Sequence, residues 1–515
     1  MSDPILIGID AGTSRVRALA FGLDGRPLGE ASRPTPYRRP GPGLAELDAD
    51  HLFEATLAAL AELARGLEHP ERVAGLAVAS VGEAGVLLDA RDRPLAPMLA
   101  WYDPRPAALR EELLAHLSAE RLARIAGLTP DPILGVFKLA WHARHTPEAF
   151  RMARRWLHVA DWLAFRLGGA SATDPSLASR TGLFDLARGD WSAELLEAAQ
   201  VPEGLLAEVL PSGTRIGTLA PEIAAAAGLP DACAIGVAGH DHVMGMLASG
   251  VVEPGTVLDS MGTAEGLALP LETPVLDGRL ARSGFNQGLA RLERPIPYVL
   301  TGLATSAAAI DWARALVGPG TPHAALIEAA RTVPPGCRGL LFVPHLRFVS
   351  PPSTEPDGRG LLLGLSTDSD AATVYRAVLE GVALDWQHML ERLCALLGRP
   401  PPERCLAIGG STRNELLLAI KARLFGRPVE VAETVEAVAL GAALLGGLAA
   451  GVFTSFAEAQ SRLAPGRRRV EPEPSWSAAA ARRRLEDYAA LLELVTPLQR
   501  LLRSVRGDCP GEKTN

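Results

Sequence analysis

The segment ILIGIDAGTSRVRALAF, Ile5 to Phe21, holds two apolar runs separated by a short polar loop. Ile5 to Ile9 and Val16 to Phe21 read as buried strands, with DAGTSR between them as the connecting loop. Leu23-Asp24-Gly25-Arg26 supplies turn chemistry before a third short strand near Pro27 to Ala31. Leucines and alanines at helical spacing predict a helix from Ala49 to Arg65, and Val73 to Ser80 is the next buried strand. Val86 to Leu88, the polar turn DARDR and Leu95 onward predict a second hairpin. Pro104 to Arg166 is expected to be mostly helical, with His142 and His145 as surface residues.

The same grammar returns in the second half. Thr256 to Ser260 is a strand, MGT a loop, and Glu265 to Leu269 a strand. A long amphipathic helix is predicted from Ser369 to Leu397, followed by a buried strand at Cys405 to Ile408 that ends in GGSTRN. IDAGT (Ile9 to Thr13) aligns with DSMGT (Asp259 to Thr263), and LAVASVG (Leu76 to Gly82) with LAIGGST (Leu406 to Thr412). The expected fold class is α/β, with two related halves facing each other and the first ending near Gly250.

Composition narrows the function. The 515 residues are 48% hydrophobic and 21% charged, a globular profile with enough chain for two domains. Lys and Arg number 51 against 59 Asp and Glu, a formal charge of −8. No basic excess is present to neutralise nucleic-acid phosphates, so no nucleic-acid partner is expected. The five cysteines (Cys233, Cys337, Cys394, Cys405 and Cys509) are odd in number and lack CxxC spacing. A disulfide framework and a zinc knuckle are excluded as expectations, and a reducing, cytoplasmic setting fits better. Asp3 and Asp10 and the lack of a basic run give no signal-peptide pattern. Ala437 to Phe456 runs 20 positions without a charge, the length of a membrane span. Gly441, Gly446, Gly447 and Gly451 interrupt it, which predicts a buried helix pair and no membrane contact.

Five motifs carry chemistry. In Asp10-Ala11-Gly12-Thr13-Ser14, glycine allows close backbone approach to a phosphate, while amides and hydroxyls make an anion cradle. Asp10 can hold Mg²⁺, and Arg17 adds positive charge. Met261-Gly262-Thr263 offers a second cradle, with Ser260 where Asp10 stands. Two cradles with one carboxylate suit a triphosphate carrying one metal; the bland alternative is a pair of tight strand connections. Gly409-Gly410-Ser411-Thr412-Arg413-Asn414 admits a flat nucleoside, with Asn414 as a hydrogen-bonding group, or is a plain strand-to-helix turn. In Val237-Ala238-Gly239-His240-Asp241-His242 a carboxylate at the end of an apolar run can take a proton from an attacking alcohol. Trp101-Tyr102-Asp103-Pro104-Arg105, joined by Glu83, suits a polyhydroxylated ligand; a core Trp beside a solvated Asp–Arg pair is the alternative.

Taken in order along the chain, these motifs resemble the FGGY family of carbohydrate kinases, from IGIDAGTS to EAVALGAALLGGLAAG. FKLAW (Phe137 to Trp141) and RGLLLGLSTDSDAATVYRAVLEG (Arg359 to Gly381) resemble its two signatures. The resemblance implies two actin-like, ribonuclease-H-like domains around a central cleft, residues 1–250 and 251–515. It implies ATP and Mg²⁺ as cofactors, Asp10 as the metal-associated aspartate and Asp241 as catalytic base. Gly12, Thr13, Ser14 and Arg17 fall in the first phosphate loop, Gly262 and Thr263 in the second. Gly409, Gly410, Ser411 and Asn414 match the adenosine motif. Glu83, Trp101, Asp103, Arg105, His240 and Asp241 match substrate-contacting positions, and His240 resembles the histidine beside the base in deoxysugar ketose kinases.

Three features depart from the family pattern. Pro344 to Pro356 lacks its GER-type segment, and Gly135 replaces a small hydroxyl residue or Pro. SVGEAG (Ser80 to Gly85) has neither the Met-His of xylulose kinases nor the Arg-Glu of glycerol kinases. The expected activity is phosphoryl transfer to a hydroxyl of a ketose such as xylulose, with a polyol or deoxyketose as the alternative. An actin-like ATPase acting on a protein partner is the competing class. A homodimer is an admissible assembly.

Overall fold

A computed structural model of the chain describes residues 3–262, 264–346, 349–352, 359–433 and 436–507. Thr263 lies outside the described residues, as do 347–348 and 353–356 of the departing Pro344 to Pro356 stretch.

The first sheet contains β1 (Ile5–Ala11), β2 (Arg15–Phe21), β3 (Pro27–Pro34), β4 (Val73–Ser80), β5 (Arg215–Thr218) and β6 (Ala234–Gly236). Its order is β5-β6-β4-β1-β2-β3. The β1–β2 hairpin is antiparallel with Asp10 opposite Arg17, and β1 pairs in parallel with β4. Every residue of β1 is buried, as its uninterrupted apolar run requires of a central strand. Helix α1 (Ala49–Gly66) begins at Asp48, whose carboxylate accepts from the amides of Asp50 and His51.

The second sheet contains β7 (Thr256–Met261), β8 (Glu265–Pro270), β9 (Asn286–Arg291), β10 (Pro295–Leu303), β11 (Arg404–Ile408), β12 (Val429–Ala432) and β13 (Arg467–Val470). Its order is β9-β10-β8-β7-β11-β12-β13. Here β7 and β8 form the antiparallel hairpin and β11 pairs in parallel with β7, so β1, β2 and β4 correspond to β7, β8 and β11. Asp10 and Ser260 each stand one residue before the end of the matching strand.

Helix α2 (Asp241–Ala248) follows β6; α3 (Ala371–Leu397), α4 (Glu415–Phe425) and α5 (Ala437–Ala449) belong to the second half. Two of these helices cross over: α2 touches β7 and β8 of the second sheet, and α5 lies on β1, β4 and β6 of the first. A core of Leu6, Ala77, Met244, Leu258, Leu406 and Leu444 binds both halves around the crossing. Glycine makes the approach possible. A Cβ on Gly8 would stand 1.7 Å from the Ala439 carbonyl oxygen, and one on Gly441 would stand 2.2 Å from that of Met244. The uncharged glycine-rich stretch is thus an interlobe helix followed by a second helix, Phe456–Leu463. Among the described residues no helix is long and apolar enough to cross a membrane.

Two expectations are corrected. The strand Gly85–Leu88 does not pair mainly with the segment after DARDR; it pairs antiparallel with Arg155–His158, inside the region expected to be mostly helical. Only an isolated bridge, Leu88 to Pro94, remains of the expected hairpin. Pro94 and Pro97 lack the amides that a returning strand needs. His142 is buried, not on the surface, with Nδ1 3.0 Å from Thr146 Oγ1. Burial, with a minor push from Arg105, pulls its imidazole down to about 4.

Candidate active site

The first loop is braced from behind. The Gly12 amide donates to the Arg15 carbonyl, and Thr35 Oγ1 donates to the Gly12 carbonyl at 2.8 Å. Thr13 and Ser14 are left at the tip, Ser14 exposed. Trp101 Nε1 donates to Thr13 Oγ1 at 3.1 Å, which brings the indole to this loop. Beneath it, Asp10 is buried and accepts from Arg17 at 2.8 Å through Oδ2. Arg17 also bonds Glu436, one residue before α5. The positive charge of Arg17 is therefore shared between two carboxylates. Burial pushes the Asp10 carboxyl up to about 6, against the pull of Arg17 and with the help of the neighbouring Asp241 charge.

Asp241 is the first residue of α2, at the crossing of the two lobes. Its Oδ1 accepts from the His242 amide at 2.6 Å and lies 3.0 Å from His240 Nδ1. About a quarter of its side chain (24%) is exposed, so it is not sealed in a core. Burial pushes its pKa up, but the His240 and His242 imidazoles and the bonds to Oδ1 outweigh it. The carboxyl is held well below the usual range. Asp10 and Asp241 are close enough to repel, and their pKa values are driven apart. At neutral pH both are anionic, with Asp241 the more firmly ionised.

His240 packs over Gly82. A Cβ at Gly82 would stand 2.7 Å from His240 Cδ2, so the imidazole fills the room a side chain at 82 would take. The next residue, Glu83, has a left-handed backbone (φ 60°) and is buried. Arg180 Nε donates to Glu83 Oε1 at 2.6 Å, and both side chains are nearly inaccessible. Lys138, from FKLAW, is also buried and donates to the carbonyls of Ile133 at 2.5 Å and Trp101 at 3.3 Å. Burial pulls its ammonium down to about 8 against the attraction of Glu83, Asp131 and Asp103. Arg180 and Asp131, the charges around Glu83 and Lys138, lie in none of the sequence motifs. FKLAW contains Lys138, a lone cation in the apolar run Val136 to Trp141. Gly135 is explained by Trp156, whose ring would lie 3.1 Å from a Cβ there.

Asp103 and Arg105 are bonded to each other and to their neighbours. Asp103 is buried and accepts from the Ala45 amide at 2.8 Å, the Arg105 amide at 3.0 Å and the Arg105 guanidinium at 2.8 and 2.9 Å. Arg105 also donates to Glu46 and lies over the Trp141 ring. The pair locks the turn that presents Trp101.

On the other lobe, Gly409 (φ 97°) comes against the second loop: a Cβ there would stand 2.7 Å from the Met261 carbonyl oxygen. Gly262 is half-buried, Gly410 exposed and Ser411 half-buried. Asn414 takes a duty the sequence did not reveal, capping α4 by accepting from the Leu417 amide at 3.1 Å. Its Oδ1 is thereby engaged and its amide nitrogen remains as the donor. Among the described residues no cluster of three His, Cys, Asp or Glu side chains forms a metal cage.

Comparison with known proteins agrees with this layout. The profile for the N-terminal domain of the FGGY family of carbohydrate kinases matches residues 5–248, and that for its C-terminal domain residues 258–450. A glycerol kinase from Bordetella parapertussis is 31% identical over 504 residues, covering 96% of this chain and 97% of its own. An L-fuculokinase from Escherichia coli K12 is 29% identical over 474 residues, covering 90% and 96%. The crystal structure of a xylulose kinase from Rhodospirillum rubrum superimposes with a TM-score of 0.86 at 27% identity, covering 96% of this chain and all (100%) of that one. The competing class, an actin-like ATPase acting on a protein, yields to these matches. The chain belongs to the FGGY family of carbohydrate kinases: it is an ATP-dependent phosphotransferase with two actin-like α/β domains.

Proposed function

We propose that this kinase transfers the γ-phosphoryl group of Mg·ATP to a hydroxyl of a ketose such as xylulose or a related sugar. Asp241 is the general base. The observation that carries this reading is its placement: an ionised, part-exposed carboxylate at the head of α2, between the lobes and beside Asp10. The Asp241 carboxylate accepts the hydroxyl proton as that oxygen attacks phosphorus, and ADP leaves. Residues 1–250 supply the first loop, the sugar contacts and the base; residues 251–515 supply the second loop and the adenosine motif. Glu83, Trp101 and His240 are the sugar contacts beside the base. Thr13, Ser14, Gly262 and Thr263 are assigned to the phosphates, and Gly409, Gly410, Ser411 and Asn414 to the nucleoside.

The donor set fits a magnesium ion. Mg²⁺ takes one or two carboxylates and keeps water and phosphate oxygens for its other positions. Asp10 would hold it: Arg17 bonds one carboxylate oxygen, and the neighbouring Asp241 charge makes a cation at Asp10 favourable. When bound, Mg²⁺ neutralises charge on the phosphates.

The ketose reading rests on His240, which resembles the histidine beside the base in deoxysugar ketose kinases; its imidazole leaves no room at position 82 for a long side chain of either the glycerol-kinase or the xylulose-kinase pattern. A coupled ADP-release screen over ketoses, polyols and sugar acids tests the assignment. A ketose should give the highest kcat/KM, and Asp241→Asn should lower kcat by about 10² or more. A polyol as best substrate moves the enzyme to the alternative class. Near-normal turnover by Asp241→Asn removes that residue from the mechanism.

A further inference from the structure

Behind the second loop lies a charge cluster that none of the functional motifs includes. Lys421 on α4 is buried and donates to Asp259 on β7 at 2.5 Å and to Glu265 on β8. Its ammonium also sits 4.8 Å from the centre of the Trp386 ring on α3. Ser306 Oγ donates to the second oxygen of Glu265 at 2.5 Å. Asp259, Glu265, Ser306 and Lys421 are all shielded from solvent. Burial and the Glu265 charge push the Asp259 carboxyl well above the usual range, against the pull of Lys421, and Asp259 Oδ1 has no partner.

Position gives this cluster its meaning. Asp259 lies two residues before Met261, the last residue of β7, and Glu265 is the first residue of β8. One ammonium therefore ties together the two strands whose connection is the second Gly-Thr loop. The same helix, α4, is capped by Asn414 of the adenosine motif. A lone buried ion set is weak evidence for stability, because desolvation offsets most of its attraction. A set retained at the root of a ligand loop is better explained by geometry.

We infer that Lys421, Asp259 and Glu265 are positioning residues: they set the spacing of β7 and β8, and through it the fit of the second loop to a nucleotide phosphate. The inference rests on the reading of that loop as a phosphate cradle. The ammonium does not touch the nucleotide; it fixes the backbone that does.

The test compares ADP with adenosine, which lacks the phosphates. Calorimetric titration of the full-length protein with each ligand isolates the phosphate contribution. Lys421→Met keeps the volume and leaves two buried carboxyl groups, one of which protonates to bond the other. Lys421→Met with Glu265→Gln removes one acid as well and provides a folded variant if the first does not fold. In the folded variant ADP affinity should fall about tenfold or more, since ångström-scale misplacement of binding groups is costly. Adenosine affinity should stay within about twofold of the parent. Unchanged ADP affinity overturns the inference, and so does an equal loss for both ligands, which marks general loosening. Gly262→Val in the parent background separates the two claims. If it leaves ADP binding intact, the cradle reading fails, whatever Lys421 does.

Discussion

Gly8→Ala tests the interlobe packing most directly. The added methyl would stand 1.7 Å from the Ala439 carbonyl oxygen, 2.6 Å from its carbon and 2.9 Å from the Ala443 nitrogen. A relaxed carbon–oxygen contact is about 3.3 Å, so α5 must recede from β1 by roughly 1.6 Å. All three clashing atoms are backbone, so no rotamer change relieves them. Overpacking costs about 1–3 kcal/mol where side chains can adjust, and this site belongs at the top of that range or beyond it. The effect reaches the active site, because Glu436 precedes α5 and holds Arg17, which holds Asp10. A displacement of that size at positioned groups lowers kcat on the order of 10²-fold. Urea unfolding followed by circular dichroism, with steady-state kinetics on the same preparation, reads both effects. Gly66→Ala is the control. No atom lies within 4 Å of a Cβ there, and the residue ends α1, so stability should hold or rise by up to about 1 kcal/mol. If Gly8→Ala matches this control in both stability and turnover, α5 does not lie on β1 as described.

Two further outcomes concern the sugar side. Arg180→Ala strands the Glu83 carboxylate in a site closed to water, at a cost of about 3–5 kcal/mol, read as a lower urea midpoint. Glu83→Gln added to it should recover much of that loss, and no recovery would mean that the pair is not coupled. Lys138 gives a pH signature. Its folded pKa of about 8 lies below the ordinary lysine value of about 10.5, so the unfolded chain binds more protons between those values. Stability therefore rises as pH increases from 8 towards 10.5, by at most about 3 kcal/mol from this residue. Lys138→Met should flatten that part of the stability profile, and an unaltered slope would place the ammonium in water.

The frame of the molecule was legible in sequence because strand periodicity is local. IDAGT and DSMGT each end a buried strand, and the structure sets Asp10 and Ser260 at matching places in two sheets of related order. GHD was legible for the same reason: an apolar run stops at a carboxylate. What escaped depends on partners far apart in the chain. The bond of Arg17 to Glu436 spans 419 residues, and that of Glu83 to Arg180 spans 97. The bonds of Arg105 to Glu46 and of Asp103 to the Ala45 amide likewise join segments that no local pattern relates. Lys421 lies in a run of apolar residues that reads as core, and it is core; only its two acids reveal another duty.

The crossing of α2 and α5 explains how one active site spans two lobes. Each helix follows a strand of its own sheet and packs against the other, so neither lobe is complete alone. Asp241 begins one of these helices and Glu436 immediately precedes the other. The proposed base therefore rides on the element that the first lobe lends to the second. The Asp10–Arg17 pair is tied to the element that returns. Glycine contacts between backbones leave no soft side chains between these elements, so the packing of the two helices fixes the spacing of their heads. In a phosphotransferase this linkage has a chemical use. Water competes with the sugar hydroxyl for the phosphoryl group, and a base that reaches working geometry only when the lobes are set discriminates against it.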